Sequence, residues 1–140
     1  MKQKVFRLID HTADLGMEVF GCDLPELYTN AARALFDILV RGPEKGGGLR
    51  HDLRIRGADA ADLMVNWLRE LLFLWNAQQQ ILMAVTITEV SRTTLNAMIV
   101  TTAYNSDNHD ILREIKAVTY HRIAVQKQKS GWQARVFFDV

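Results

Sequence analysis

Leu49-Arg50-His51-Asp52-Leu53-Arg54-Ile55-Arg56 alternates without a break. Leu49, His51, Leu53 and Ile55 share one face, and Arg50, Asp52, Arg54 and Arg56 share the other. This is the pattern of a half-buried β-strand. Immediately after it, Asp59 offers an N-cap, and Met64, Trp67, Leu68, Leu71, Leu72 and Trp75 recur at helical spacing over residues 60–76. A strand handing over to a helix with so wide an apolar stripe requires a sheet for that helix to lie against. A tryptophan stripe at this spacing reads as core.

The same logic extends outward. Residues 3–9 and 15–20 read as two short strands. Residues 24–41 read as a helix with Asp23 as N-cap, Pro25 in the first turn and Glu26 at capping-box spacing, its core stripe Leu27, Ala31, Leu35, Ile38 and Leu39. Gly42-Pro43 stops it. Residues 83–90 and 94–104 predict a hairpin turning at Ser91-Arg92-Thr93, followed by a polar loop from Asn105 to Asp110. Residues 115–126 and 132–139 predict another, turning at Lys129-Ser130-Gly131. Two amphipathic helices and about seven strands give an α+β fold, a single layered domain over residues 1–140 with both helices on one face of a largely antiparallel sheet.

Composition sets limits. The chain has 140 residues, 49% hydrophobic and 24% charged, which is globular composition. Seventeen basic against sixteen acidic residues give a net charge of +1, unlike a DNA-coating protein. Its one cysteine, Cys22, cannot form an intrachain disulfide, which fits a reducing cytoplasm. No apolar run approaches the length of about 18 residues that a membrane helix needs, and the start of the chain has no signal-peptide apolar region. The stretch Gly42-Pro43-Glu44-Lys45-Gly46-Gly47-Gly48 lacks the phosphate-loop pattern and reads as a flexible connection between helix and strand.

Three segments carry candidate chemistry. Asp10-His11-Thr12-Ala13-Asp14 lies between two strands. Its carboxylates and imidazole could bind a metal or share a proton; by spacing alone, a turn closed by Asp and Thr side chains is the commoner use of such residues. At the other end of the sequence, Asp139 brings a carboxylate and Val140 a second, terminal one. If that strand reaches the Asp14 loop, three carboxylates meet, and such a cluster needs a cation. Hard oxygen ligands favour Ca²⁺, Mg²⁺ or Mn²⁺ over zinc. The alternative is an end that frays into water, against which stand the apolar Phe137 and Phe138. In the third segment, Lys116, Thr119, Tyr120 and His121 offer donors. On a regular strand Lys116 and Tyr120 face one side, and Thr119 and His121 the other. His121 reads as a general base, a ligand or a core histidine, the last being the leading reading of the bare sequence.

Charge is uneven. From Arg113 to Arg135, both included, there are six basic residues and one acid, and Arg50, Arg54 and Arg56 add three more on one strand face. Such a patch could meet RNA phosphates or an acidic partner, although basic strand faces are more often simply solvated and no aromatic interleaving marks a base-stacking surface. The serine-hydrolase, zinc-protease, dinucleotide and CxxC motifs are absent, and Cys22 has no local base to activate it.

Taken together, these segments resemble the archease family. His11-Thr12-Ala13-Asp14-Leu15-Gly16 resembles its HTAD(V/L)G signature. Asn30 to Phe36 resembles its first helix, and Leu63 to Leu74, with Asn66-Trp67-Leu68 and Glu70-Leu71-Leu72-Phe73, its second. Lys116-Ala117-Val118-Thr119-Tyr120-His121 resembles its KA-T-YH strand, and Phe138-Asp139-Val140 its terminal motif. The motifs follow the family order across nearly the whole chain. One departure stands out: where family members often carry Gly-Glu and then Asp before the loop histidine, this chain reads Thr101 to Asn105, with no acid until Asp107, while His109 keeps its place seven residues before Lys116.

The resemblance implies a cytoplasmic, non-catalytic accessory factor for the RtcB-type RNA ligase. It would promote ligase guanylylation with GTP and multiple turnover in tRNA splicing or RNA repair. It further implies a divalent-metal site, calcium by association with Mg²⁺ or Mn²⁺ as alternatives, whose ligands carry over to Asp14, Asp139 and an oxygen of Val140. His11, Lys116 and His121 would support that site or contact the partner. RNA would be reached through the ligase, with direct contact left open, and neither membrane nor DNA is implied. Two other readings stand beside it. One is a metal-dependent hydrolase of RNA or nucleotides, using the same acids with His11 or His121 as base. The other is a general RNA-binding or chaperone-like module dependent on Arg50, Arg54 and Arg56.

Overall fold

The computed structural model describes residues 5–10, 14–43 and 47–140. In chain order the elements are β1 (Phe6–Asp10), β2 (Asp14–Gly21), α1 (Leu24–Leu39), β3 (Val40–Arg41), β4 (Leu49–Arg56), α2 (Ala60–Gln78), β5 (Gln80–Val90), β6 (Thr94–Ala103), β7 (Asp110–Ile111), β8 (Ala117–Val118), β9 (Ala124–Gln128) and β10 (Gly131–Asp139).

The fold is α+β with two helices, and every strand pair is antiparallel. The expected strand count was too low: the described residues hold ten strands in three sheets rather than about seven in one. One sheet runs β1-β2-β10, with β8 and β9 both pairing the far edge of β10. A second runs β4-β6-β5, and β3 with β7 makes a small third. The extra strands are pieces too short to carry a periodic signal.

Both helices begin as their caps require. The Asp23 carboxylate accepts from Glu26 N–H at 2.9 Å, and the Glu26 carboxylate reaches back to Cys22 N–H at 3.0 Å. The Asp59 carboxylate accepts from Asp62 N–H and the Asp62 carboxylate from Ala58 N–H, both at 2.8 Å. Such caps satisfy backbone donors that the first helical turn leaves orphaned. Helix α1 ends at Leu39, two residues before the expected stop, because Val40 and Arg41 turn extended and pair with β7.

Each helix packs against strands of both larger sheets, so one continuous apolar core joins all the layers. It takes Leu15, Met17 and Val19 from β2, Ala134, Val136 and Phe138 from β10, and Leu95, Ala97 and Ile99 from β6. The α2 stripe is core: Met64, Trp67, Leu68 and Leu71 are fully buried. Each large apolar side chain buried this way contributes about 1.5–3 kcal/mol. The indole N–H of Trp67 donates to the Tyr28 carbonyl at 3.0 Å, which satisfies its one polar atom and ties α2 to α1.

The second expected hairpin needs a correction. Residues 115–126 are not one strand. Val118 pairs with Phe138 and Ala124 with Arg135, so seven residues of chain run alongside four of β10. The excess loops out after Thr119, whose N–H and hydroxyl both donate to the Phe137 carbonyl at 3.0 Å. The loop closes through Ile123 N–H to the Tyr120 carbonyl, with Arg122 at φ 53°. Lys116, Thr119, Tyr120 and His121 therefore do not alternate across a sheet.

Candidate functional site

In β2 the odd-numbered residues enter the core, and the even-numbered ones stand on the opposite face; β10 does the reverse. The register between them pairs Asp14 with Asp139, Gly16 with Phe137 and Glu18 with Arg135. All six belong to the face turned away from the core. Directly opposed residues on antiparallel strands hold their Cβ atoms about 4.5–5.5 Å apart, so two carboxylates share one end of this sheet. Like charges in that position repel, and a cation between them removes the penalty.

Of the residues singled out in the sequence, Asp14, Asp139 and Val140 come to this end, and Val140 is 39% exposed. Lys116 joins them through its backbone: its N–H donates to the Asp139 carbonyl at 2.8 Å, while its side chain is exposed. His121 is exposed in the loop, not a core histidine, and its ring meets the edge of the Phe137 ring at 5.8 Å, one row in from Asp139. His11 lies outside the described residues. Among the described residues no three His, Cys, Asp or Glu side chains converge on one point. Among the described residues, the donors at this end are the Asp14 and Asp139 carboxylates, hard oxygen ligands of the kind Ca²⁺, Mg²⁺ or Mn²⁺ take.

Behind the acidic end lies a group that sequence reasoning missed. Glu18 is 3% exposed. Its carboxylate accepts from Arg7 Nε at 3.0 Å, Arg7 Nη2 at 2.8 Å, Gln133 Nε2 at 3.1 Å and Arg135 Nη2 at 3.3 Å. A buried carboxylate needs such a set of charge-assisted donors. The signal in the sequence was its polar position in an otherwise apolar strand. Phe137 shares the outer face with Arg135 and Asp139 but is buried, its ring lying over Gly16. A Cβ at position 16 would meet the ring at 2.7 Å.

The remaining candidates sit elsewhere. Arg50, Arg54 and Arg56 share the exposed face of β4, and Arg50 is occupied by Asp52 at 3.1 Å. Cys22 is exposed, and the neighbouring Glu26 carboxylate pushes its thiol pKa up, away from nucleophile chemistry. His109 is buried and acts as a clasp, accepting from Asn105 N–H at 3.0 Å and donating from Nε2 to the Pro43 carbonyl at 2.9 Å. In the stretch that departs from the family pattern, Thr101 is buried and donates to the Gln80 side chain at 2.7 Å.

Comparison with known proteins gives one answer. The model of the archease protein family (MTH1598/TM1083) matches residues 6–140. A protein archease from Methanosarcina mazei is 28% identical, covering 98% of this chain and 97% of its own length. One from Archaeoglobus fulgidus is 31% identical over 96% and 98%. The solution structure of Methanobacterium thermoautotrophicum protein 1598 superposes with a TM-score of 0.73 at 28% identity, over 99% of this chain and all of that one. The crystal structure of a Thermotoga maritima archease, described as a possible chaperone, shares the fold with a TM-score of 0.59 at 17% identity, over 100% and 98%.

Proposed function

The chain belongs to the archease family, and from that footing we propose that it is a non-catalytic accessory protein that activates an RtcB-type RNA ligase in tRNA splicing or RNA repair. It works in the cytoplasm and reaches RNA through the ligase. Among the described residues no helix is long and apolar enough to cross a membrane.

The observation that carries this reading is the register of β2 against β10, which sets Asp14 opposite Asp139 at one end of the sheet. Asp14, Asp139 and an oxygen of Val140 hold a divalent ion, with Ca²⁺ the first choice and Mg²⁺ or Mn²⁺ the alternatives. Held there, such an ion would supply positive charge against phosphate during guanylylation of the ligase with GTP. The chain's own residues supply position. Lys116 N–H fixes the Asp139 carbonyl. The Glu18–Arg135 pair locks the two strands four residues further in. Phe137 fills the hollow over Gly16 between these features. His121 and the Lys116 side chain are exposed and offer contacts to the partner.

The test is multiple-turnover RNA joining by the cognate ligase at limiting concentration, with GTP and Mn²⁺. Wild type is expected to raise turnover, and a folded Asp14→Ala variant is expected not to. Equal turnover with and without the wild-type protein would remove the ligase partnership. RNA cleavage by the purified protein that vanished in Asp14→Ala would replace it with the hydrolase reading.

A further inference from the structure

The outer face of the five-stranded sheet is laid out in rows. Arg7, Glu18 and Arg135 form one row across β1, β2 and β10; Ile9, Gly16 and Phe137 form the next; Asp14 and Asp139 lie beyond it. Over the first two rows opens a cleft of about 320 Å³, whose wall is completed by Arg122 from the loop between β8 and β9. Among the described residues that line it, three are arginines and one is an acid, Glu18, leaving positive charge in excess.

Three features mark this as more than a solvated basic patch. Arg122 stands at φ 53°, a conformation that non-glycine residues enter at a cost, and there its guanidinium lies over the Phe137 ring at 5.6 Å. Its loop contains no Gly, Asn or Pro to make that turn easy. Arg135 keeps Nε buried with no hydrogen-bond partner, although its Nη2 is on Glu18; a buried donor left open is uncommon and offers a place to a guest oxygen. Finally, Phe137 precedes Asp139 by two residues, a strand rise of about 7 Å. A cation held at the carboxylates would therefore lie within reach of an anion held under Arg122.

We propose that this cleft is a phosphate subsite, in which Arg122 and Arg135 take the phosphate chain of a nucleoside polyphosphate whose divalent counter-ion is held by Asp14 and Asp139. The cation half rests on the metal reading above; the anion half does not. Guanidinium groups suit phosphate because their donors are planar and paired. The carboxylate row beyond Phe137 repels a bare phosphate and accepts a metal-bound one, which selects the metal complex.

Calorimetric titration with inorganic triphosphate, with and without Mg²⁺, tests both halves. Wild type binds saturably, and more tightly with Mg²⁺. Arg122→Ala weakens binding about tenfold or more in both conditions, as loss of one charge-assisted contact does, and Arg122→Lys recovers part of it. Arg122→Gly, which keeps the left-handed turn without strain, replaces the alanine variant if circular dichroism reports a disturbed fold. Asp14→Asn abolishes only the gain from Mg²⁺. Absence of saturable binding at millimolar triphosphate, or unchanged affinity on removing the Arg122 side chain, overturns the subsite. If Arg122 matters and Asp14→Asn leaves the Mg²⁺ gain intact, the metal reading fails and the phosphate subsite stands.

Discussion

Asp14 and Asp139 are direct cross-strand partners, joined by the register of β2 and β10 although they stand at opposite ends of the sequence. Opposed carboxylates in a ladder destabilise it by about 0.2–1 kcal/mol. Without divalent cations, Asp14→Asn and Asp139→Asn should therefore melt at or slightly above the wild-type temperature. With a bound cation at a hundred times its dissociation constant, wild type should gain about 2.7 kcal/mol, and each variant should lose most of that gain. Thermal unfolding with and without Ca²⁺, Mg²⁺ or Mn²⁺ measures both effects. An equal gain in the variants would place the cation elsewhere.

Gly16 sits between the acidic end and the buried Glu18, and a methyl group there would meet Phe137 at 2.7 Å and the Ile9 Cβ at 3.1 Å. Phe137 is 1% exposed, so its ring has little room to retreat. Gly16→Ala should cost about 1–3 kcal/mol as an overpacked site. Because the displaced ring precedes Asp139 by two residues, the same variant should also weaken divalent-cation binding. Urea unfolding gives the first quantity and calorimetry the second. A variant of wild-type stability would mean that β2 and β10 separate at no cost.

The longer elements were legible because their residues keep one period for several turns or pleats: the α2 stripe from Met64 to Trp75 and the alternation from Leu49 to Arg56 are examples, although of β4 only Ile55 is buried in the core. The break between β8 and β9 was not, because Thr119-Tyr120-His121-Arg122-Ile123 has strand-forming composition and no turn residue. What bends it is tertiary: Thr119 spends its hydroxyl and N–H on the Phe137 carbonyl. Strands β3 and β7, each two residues long, had no pattern to read. At the candidate site, the approach of Asp139 to Asp14 was conditional on a register that no local signal fixes, and Glu18 looked like any outward-facing acid until Arg7 and Arg135 closed over it.

That burial makes Glu18 a structural carboxylate with a measurable role. Removing one member of a buried ion pair leaves the others uncompensated and costs about 3–5 kcal/mol when all are dry. Here the Arg7 and Arg135 side chains are 65% and 38% exposed, so solvent screening reduces the cost of Glu18→Gln to about 1–3 kcal/mol. Arg7→Ala, at the wetter end, should cost no more than about 1 kcal/mol. Urea unfolding of the two variants tests the ranking, and an Arg7→Ala loss larger than that of Glu18→Gln would reverse the assignment of which group is buried.

The loop that departs from the strand is held to α2 by Tyr120, whose hydroxyl donates to the Asp62 carboxylate at 2.6 Å, with the Arg69 guanidinium 4.8 Å from the Tyr120 ring centre. The Tyr120 hydrogen bond, with help from Ala58 N–H, holds the Asp62 carboxyl below the usual carboxylate range, and the same bond pushes the Tyr120 hydroxyl pKa up. A carboxyl depressed in the folded state adds stability above its ordinary pKa of about 4, and that stability is lost as pH falls through the depressed value. A phenol raised in the folded state adds stability below its ordinary pKa of about 10, and that is lost as pH rises through the raised value. Tyr120→Phe should therefore lower stability near neutral pH and flatten both flanks of the stability profile, the acid flank through Asp62 and the alkaline flank through the missing hydroxyl. The same variant should loosen the loop that carries Arg122 and increase hydrogen exchange between Tyr120 and Ile123. Unfolding measured from acid to alkaline pH, with exchange at neutral pH, checks this; parallel profiles for wild type and variant would show that the bond does not hold the loop.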